Sequence, residues 1–311
     1  MDKADIEGIL TRHRLFFSGD GIRDEGQPAD LRGIDLRGID FSGVGSLCMV
    51  DFGRTDLRGA SFAGCNLRGS DFRWADLRGV SFAGCKLRGV CLEGTNLQSV
   101  DLMNANLKKA DLRRANLTNA NLRNTDLSDA RLWGADLTRA DLTRADLTYA
   151  NLVRTNLRDA TMQWVTLYCA CMVDADLKNA DLKNASLQGC NLNGADLEGA
   201  DLRGAKLYGA RLHGAHLDGV NPEGAWLNWN SHTLIYEILR QAAMGDQEKL
   251  DELLLVLRRD DWCWADWVAS KHPLLCWAFK VLQPWASNAA PAYIEFIIRK
   301  VLSDERGVTP K

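Results

Sequence analysis

The sequence predicts a β-solenoid, and three observations predict it. From Leu47 to Leu217 every fifth residue is Leu, Phe or Met, giving 35 repeats in one register, with three earlier ones centred on Leu31, Leu36 and Phe41. Around each such position, called i, the residue at i−2 is small and that at i−1 is usually Asp or Asn. Two variable, mostly polar residues follow. The run from Ala105 reads Ala-Asn-Leu-Lys-Lys, Ala-Asp-Leu-Arg-Arg, Ala-Asn-Leu-Thr-Asn, Ala-Asn-Leu-Arg-Asn. Finally, a period of five fits neither ordinary element. Five residues of helix advance about 500°, which smears the apolar positions around the axis. In a flat strand an odd period sends successive Leu side chains to opposite faces. Positions i−2 and i, however, point the same way in a short extended piece. The other residues must then turn the chain, so it wraps around an axis with its coils stacked like strands of a sheet.

These residues match A(D/N)LXX, and the sequence resembles the pentapeptide-repeat family over residues 29 to about 227. The resemblance implies a right-handed quadrilateral β-helix with four repeats per coil. Nine to ten coils at about 4.8 Å each make a rod of about 45 Å.

The chain has 311 residues, a formal net charge of −3 and nine Cys. The charge exerts no global pull on nucleic acid or acidic membranes. There is no apolar run of 18 residues, so no membrane-spanning helix is expected. The N-terminus, Met-Asp-Lys-Ala-Asp-Ile-Glu, lacks a signal-peptide pattern. With four repeats per coil, Cys65 and Cys85 fall in one inward column as small fillers. They read as reduced core residues of a cytoplasmic protein.

Residues 1–28 are expected to form an N-terminal helix and cap. Ile6, Ile9, Leu10, Leu15 and Phe16 give the helix an apolar face, and covering the rod end hides unpaired edges. His13-Arg14-Leu15-Phe16-Phe17, followed by Ala29-Asp30-Leu31, is similar to the opening of many bacterial and prophage-encoded family members. One residue is inserted between Phe41 and Leu47, which reads as a bulge at a corner. Phe52, Phe62, Phe72 and Phe82 recur every ten residues and should point inward from opposite faces as packing. Gly at i+2 is frequent at both ends of the rod, but between Ser99 and Asn184 only Gly134 holds that position. Gly suits a turn with positive φ, so the middle coils are expected to turn differently.

Folding the repeats by twenties collects Trp74, Arg113, Arg114, Arg131, Trp133 and Arg154 on one candidate partner-binding face. Outward Trp beside Arg marks interfaces, although Arg can equally stack on Trp or pair with Asp and do nothing more. In residues 161–173 the pattern breaks most. Trp164 and Tyr168 point outward there, as tolerated drift or as a second part of the contact surface. Pro222 takes a Leu slot and should end the regular ladder. Residues 228–311 then read as an α-helical C-terminal domain, with Ser231 and Asp246 as N-caps and Pro273 and Pro291 opening later helices. This part holds six of the ten Trp, and Trp226 stands just before it. In related proteins a C-terminal helix often makes a dimer, which implies a homodimer through these helices.

No catalytic constellation is present, and no cofactor or metal is expected. Asp and Asn recur at i−1 because their short side chains bond turn backbone. No His or Cys has metal-ligand spacing. The expected function is a non-enzymatic scaffold that binds a protein through the outer faces of a rigid rod, where preorganisation lowers the entropy cost. An alternative follows from the family. Some members mimic duplex DNA, bind DNA gyrase and protect it from quinolones, which needs an acidic rod. Residues 31–220 hold 24 Lys and Arg against 22 Asp and Glu, which argues against mimicry. Nucleic-acid binding through the Arg/Trp face is weakened by the same balance. A structural or phage-associated role is a further alternative.

Overall fold

The computed structural model describes residues 28–42, 44–222 and 224–226, together with residues 8, 9, 11, 239, 242, 243, 245, 246, 248, 251, 278 and 281. The pentapeptide period becomes a four-sided coil. Parallel bridges join each i−1 residue to the one twenty positions on, from Ser46 with Asn66 to Lys206 with Trp226. Each side is the extended trio i−2, i−1, i, and each corner is i+1, i+2. We number the sides in chain order from the first repeat. Side 1 carries Leu31, Phe52 and Phe72; side 2, Leu36 and Leu57; side 3, Phe41 and Phe62; side 4, Leu47 and Leu67.

The repeat around Leu137 shows why this sequence makes this coil. Leu137 N–H donates to Asn156 O at 2.7 Å and Arg139 N–H to Arg158 O at 3.0 Å, both in the next coil. Asp136 N–H donates back to Ala115 O at 2.9 Å, and Ala140 N–H closes the corner onto Leu137 O at 3.0 Å. The fifth donor, Thr138 N–H, has no backbone acceptor and instead meets Asp136 Oδ1 at 2.9 Å. Asp or Asn at i−1 therefore supplies the one acceptor the backbone lacks, and an unmet backbone donor is costly. Asn66 is an exception, for its Oδ1 is buried with no partner.

The interior is a continuous stack. Leu132, Met162 and Met172 are fully buried. Phe41 stacks on Phe62 at 4.7 Å and Phe52 on Phe72 at 4.7 Å, and the two columns meet edge-on, with Phe52 and Phe62 at 5.6 Å. The Phe residues thus face inward from sides 1 and 3, as packing. Small polar residues at i−2 are buried because each finds a carbonyl in the preceding coil. Thr155 Oγ1 donates to Leu132 O at 2.9 Å, Ser70 Oγ to Leu47 O at 2.7 Å, and Cys85 Sγ to Phe62 O at 2.8 Å.

The middle coils do not turn differently, and that expectation is corrected. Arg114, Arg139, Arg144, Tyr149 and Trp164 have φ between 56° and 59°, close to the 66° of Gly79. The reason is the stacking itself. The i+2 N–H must reach the i+1 carbonyl of the next coil, so every rung takes the same corner. A non-Gly residue in this left-handed conformation costs about 1–2 kcal/mol. Asn and Asp tolerate it best, and Asn104, Asn119, Asn124 and Asp129 exploit that.

The inserted residue is absorbed at the first corner after side 3. Bridges before it span 21 positions, as in Asp40 with Ser61, and those after it span 20. Val44 makes the corner bond to Phe41 O at 2.9 Å, and Gly45, with φ 83°, adds the extra step. Pro222 does not end the pairing. Ala225 N–H still closes onto Pro222 O at 2.9 Å, and Trp226 N–H donates to Ala205 O at 2.7 Å. An N–H at i serves the next coil, so at the last rung the missing donor is not needed. The expected N-terminal helix and the C-terminal helical domain lie almost wholly outside the described residues. Of those described there, Gly8, Ile9, Thr11, Leu239, Ala242, Glu248, Asp251, Ala278 and Val281 are helical, and Leu239, Ala243 and Ala278 are buried.

Candidate protein-interaction surface

Six of the eight residues singled out in the sequence share side 1 and its corner. Arg131 sits in the middle of the side, while Trp74, Arg113, Arg114, Trp133 and Arg154 occupy the corner. They are not equivalent. Arg113 is bound within the rod, 2.7 Å from Asp111 and 3.2 Å from Glu93. Burial pushes its carboxylate partner Asp111 up, but the hydrogen bonds and charge of Arg113, with the charge of Arg131, together hold it below the ordinary range. Arg114 lies over the half-buried Trp133 ring at 4.9 Å. Arg154 is 3.6 Å from Asp174, and Arg131 is 3.9 Å from Asp111. Trp74 stands apart, for it is 55% exposed at φ 61°. Its indole lies on Gly94 of the next coil, where an added Cβ would come within 2.3 Å of the ring.

Beside Trp74 is an open groove of about 640 Å³, lined by Arg32, Arg54, Arg73 and the carboxylates of Asp30, Asp51 and Asp71. It exists because Gly53 stands in the i+1 column where Arg32 and Arg73 stand in the coils on either side. Arg32 binds Asp30 in two bonds, at 2.9 and 2.7 Å, and the guanidinium holds the Asp30 carboxyl down at about 2.

Trp164 and Tyr168 are not on this face. They sit in the corners before and after side 4 and bracket Thr166 in the same coil. Trp164 is 56% and Tyr168 43% exposed. Tyr149, in the corner of the preceding coil, meets the Tyr168 ring edge-on at 5.7 Å. Tyr149 was not singled out in the sequence. Counting by twenties, which sets it one coil before Cys169 and beside Tyr168, was the available signal.

The carboxylates do not form an open stripe. Side 2 with its corner is the most acidic, with nine carboxylates from Asp35 to Asp218 against six cations. All six of those cations are paired, among them Arg58 with Asp56 at 2.6 Å and Lys178 with Glu198 at 2.6 Å.

Among the described residues no group of three His, Cys, Asp or Glu could hold a metal, and no helix is long and apolar enough to cross a membrane. The thiols separate by depth. Burial pushes Cys65 up to about 11 and Cys85 and Cys190 up to about 12, while Cys169 is exposed. At pH 7.5, mass mapping after brief treatment with a maleimide should find Cys169 labelled and these three intact. The buried thiols have folded values above the unfolded 9.0. Their contribution is therefore complete below pH 9 and lost as pH rises from 9 toward 12. Chemical denaturation midpoints should fall over that window and be less pH-dependent in Cys85→Ala.

The surface is thus an ordered display on a four-sided solenoid, and comparison with known proteins identifies the class. Residues 55–132 match the model of the pentapeptide repeat region, and residues 125–163, 135–172 and 170–209 match that of pentapeptide repeats in eight copies. HetL, a pentapeptide repeat protein involved in heterocyst differentiation regulation in the cyanobacterium Nostoc sp. strain PCC 7120, is 31% identical. The likeness covers 72% of this chain and 96% of HetL, with a TM-score of 0.64. QnrB1, a plasmid-mediated fluoroquinolone resistance protein, is 19% identical over 67% of this chain and 96% of its own, with a TM-score of 0.41. No curated protein matches the chain. The chain belongs to the pentapeptide-repeat family.

Proposed function

We propose that this chain is a non-enzymatic scaffold that binds a protein partner through the outer surface of its rod, with Trp74 as the anchor on side 1. The observation that carries this reading is the state of Trp74. It is a large aromatic, more than half exposed, in a left-handed corner where Gly would be unstrained, and it is seated on the backbone of Gly94. Ordered aromatic and Arg residues dominate interface energetics, and a ring already fixed in place loses little entropy on binding. Arg32, Arg54 and Arg73 around the neighbouring groove supply the polar rim. HetL, a relative of the same build, is involved in regulation, which fits a role through binding. A cytoplasmic location and a homodimer through the C-terminal helices belong to the same proposal.

Mimicry of DNA toward gyrase is the less favoured reading, because the cations of side 2 pair its carboxylates. The test is retention of a partner from host lysate by wild type, by Trp74→Ala and by Trp133→Ala/Arg154→Ala, each first shown to melt like wild type. Loss with Trp74→Ala supports the reading. Retention by Trp74→Ala with loss by the second variant moves the anchor along side 1, and retention by both removes side 1 from the interface.

A further inference from the structure

Among the described residues, side 4 carries cations without carboxylate partners. Elsewhere an Arg at i+1 finds a carboxylate two residues back, as Arg37 finds Asp35 and Arg203 finds Asp201, or eighteen residues on, as Arg123 finds Asp141 and Arg158 finds Asp176. On side 4 both places are empty of charge or wrongly charged. Arg68 has Asn66 behind it and Lys86 ahead; Arg88 has Lys86 behind it and Asn106 ahead. Arg68, Lys86, Arg88 and Lys109 are all exposed, and only Lys108 reaches a carboxylate, Asp129 at 3.7 Å. Arg68, Arg88 and Lys108 occupy the same position in consecutive coils, so their backbones are about 4.8 Å apart. Like charges stacked in register destabilise, and among the described residues only Lys108 has a carboxylate to offset its charge.

We propose that side 4 between Arg68 and Lys109 is a docking surface for a short acidic segment of a protein partner. The proposal goes beyond the Trp74 reading and rests on other residues. The charge sets the sign of the ligand, and the bounds of the patch set its class. From Arg68 to Lys108 it is two coil steps, about 10 Å long, and past Lys109 the same side carries Asp126, Asp129 and Asp146. A nucleic-acid strand continues beyond that length and meets those carboxylates, whereas a segment with a few Glu or Asp ends within it. At the other end Met49 is 53% exposed and lies against Gly69. It is an apolar contact that suits a peptide side chain and has no use to a phosphate backbone.

The test uses the full chain, a fluorescein-labelled Glu-Glu-Leu-Glu-Glu-Leu peptide and a short oligothymidylate of equal charge, followed by anisotropy. The expected result is saturable peptide binding, weaker oligothymidylate binding, and peptide affinity reduced at least about tenfold by Arg68→Glu/Arg88→Glu. Trp74→Ala should bind the peptide as wild type does, which separates this proposal from the previous one. Should the reversed variant fail to fold, Arg68→Gln/Arg88→Gln carries the same expectation. No peptide binding, peptide binding indifferent to these substitutions, or tighter binding of the oligothymidylate would overturn the proposal.

Discussion

Leu132→Asp is expected to abolish the cooperative folding of the middle coils. Leu132 is fully buried on side 1, and its N–H and O are committed to Asn151 and Ala135. Removing a buried Leu side chain costs about 2–5 kcal/mol. An unpaired carboxylate in that place adds several kcal/mol more, or forces protonation. The combined loss is of the order of the whole stability of a domain. Because each coil touches only its neighbours, the damage should be centred there. Hydrogen exchange should show lost protection at Leu112, Leu132 and Leu152 before the ends of the rod. Leu132→Met is the control, expected to cost less than about 1.5 kcal/mol, since Met162 and Met172 already fill the same kind of slot with no exposure. A variant Leu132→Asp that melted like wild type would contradict the inward placement of i.

Gly94→Val should be the most damaging single change at a corner. It combines two costs that can be separated. At φ 66° any β-branched side chain is strained, at about 2 kcal/mol. The new side chain also enters the space of the Trp74 ring. Gly89, with φ 68° and nothing within 4 Å of an added Cβ, carries only the first cost. Gly89→Val is therefore expected to cost about 2 kcal/mol and Gly94→Val at least about 1 kcal/mol more. In a double-mutant cycle, Trp74→Ala should bring Gly94→Val back to the Gly89→Val value. Equal losses for the two single variants would mean that the indole does not rest on Gly94. The same cycle bears on function, because a displaced Trp74 is no longer a fixed anchor.

The fold was open to reading because its period is a whole number. Five residues per side and four sides per coil place residues twenty apart directly above one another, so Trp74, Arg113 and Arg131 could be assembled on one side without coordinates. The role of Asp and Asn at i−1 was legible for the same reason, since Asp136 bonds two residues ahead and needs no distant partner. The corners were read wrongly. Absence of Gly suggested another turn, but the next coil dictates φ at Arg144 and Tyr149, and its hydrogen bonds override local preference. Trp164 and Tyr168 stood out because they interrupt the pattern, as drift or as a second part of the contact surface, yet a break in pattern says nothing about which side it faces.

The sequence alone therefore determined the solenoid, its inward columns and its register, because these follow from the spacing of Leu and from the acceptor that Asp or Asn adds at each corner. Only the tertiary structure decided which outward groups are spent and which are free. Arg113 is taken by Asp111 and Glu93, and Arg114 by Trp133, while Trp74 stays exposed and Arg68 and Arg88 find no carboxylate among the described residues. The reason is that a surface side chain chooses among neighbours in its own coil and the two beside it. That choice is made by reach and geometry across the stack, which no single repeat contains.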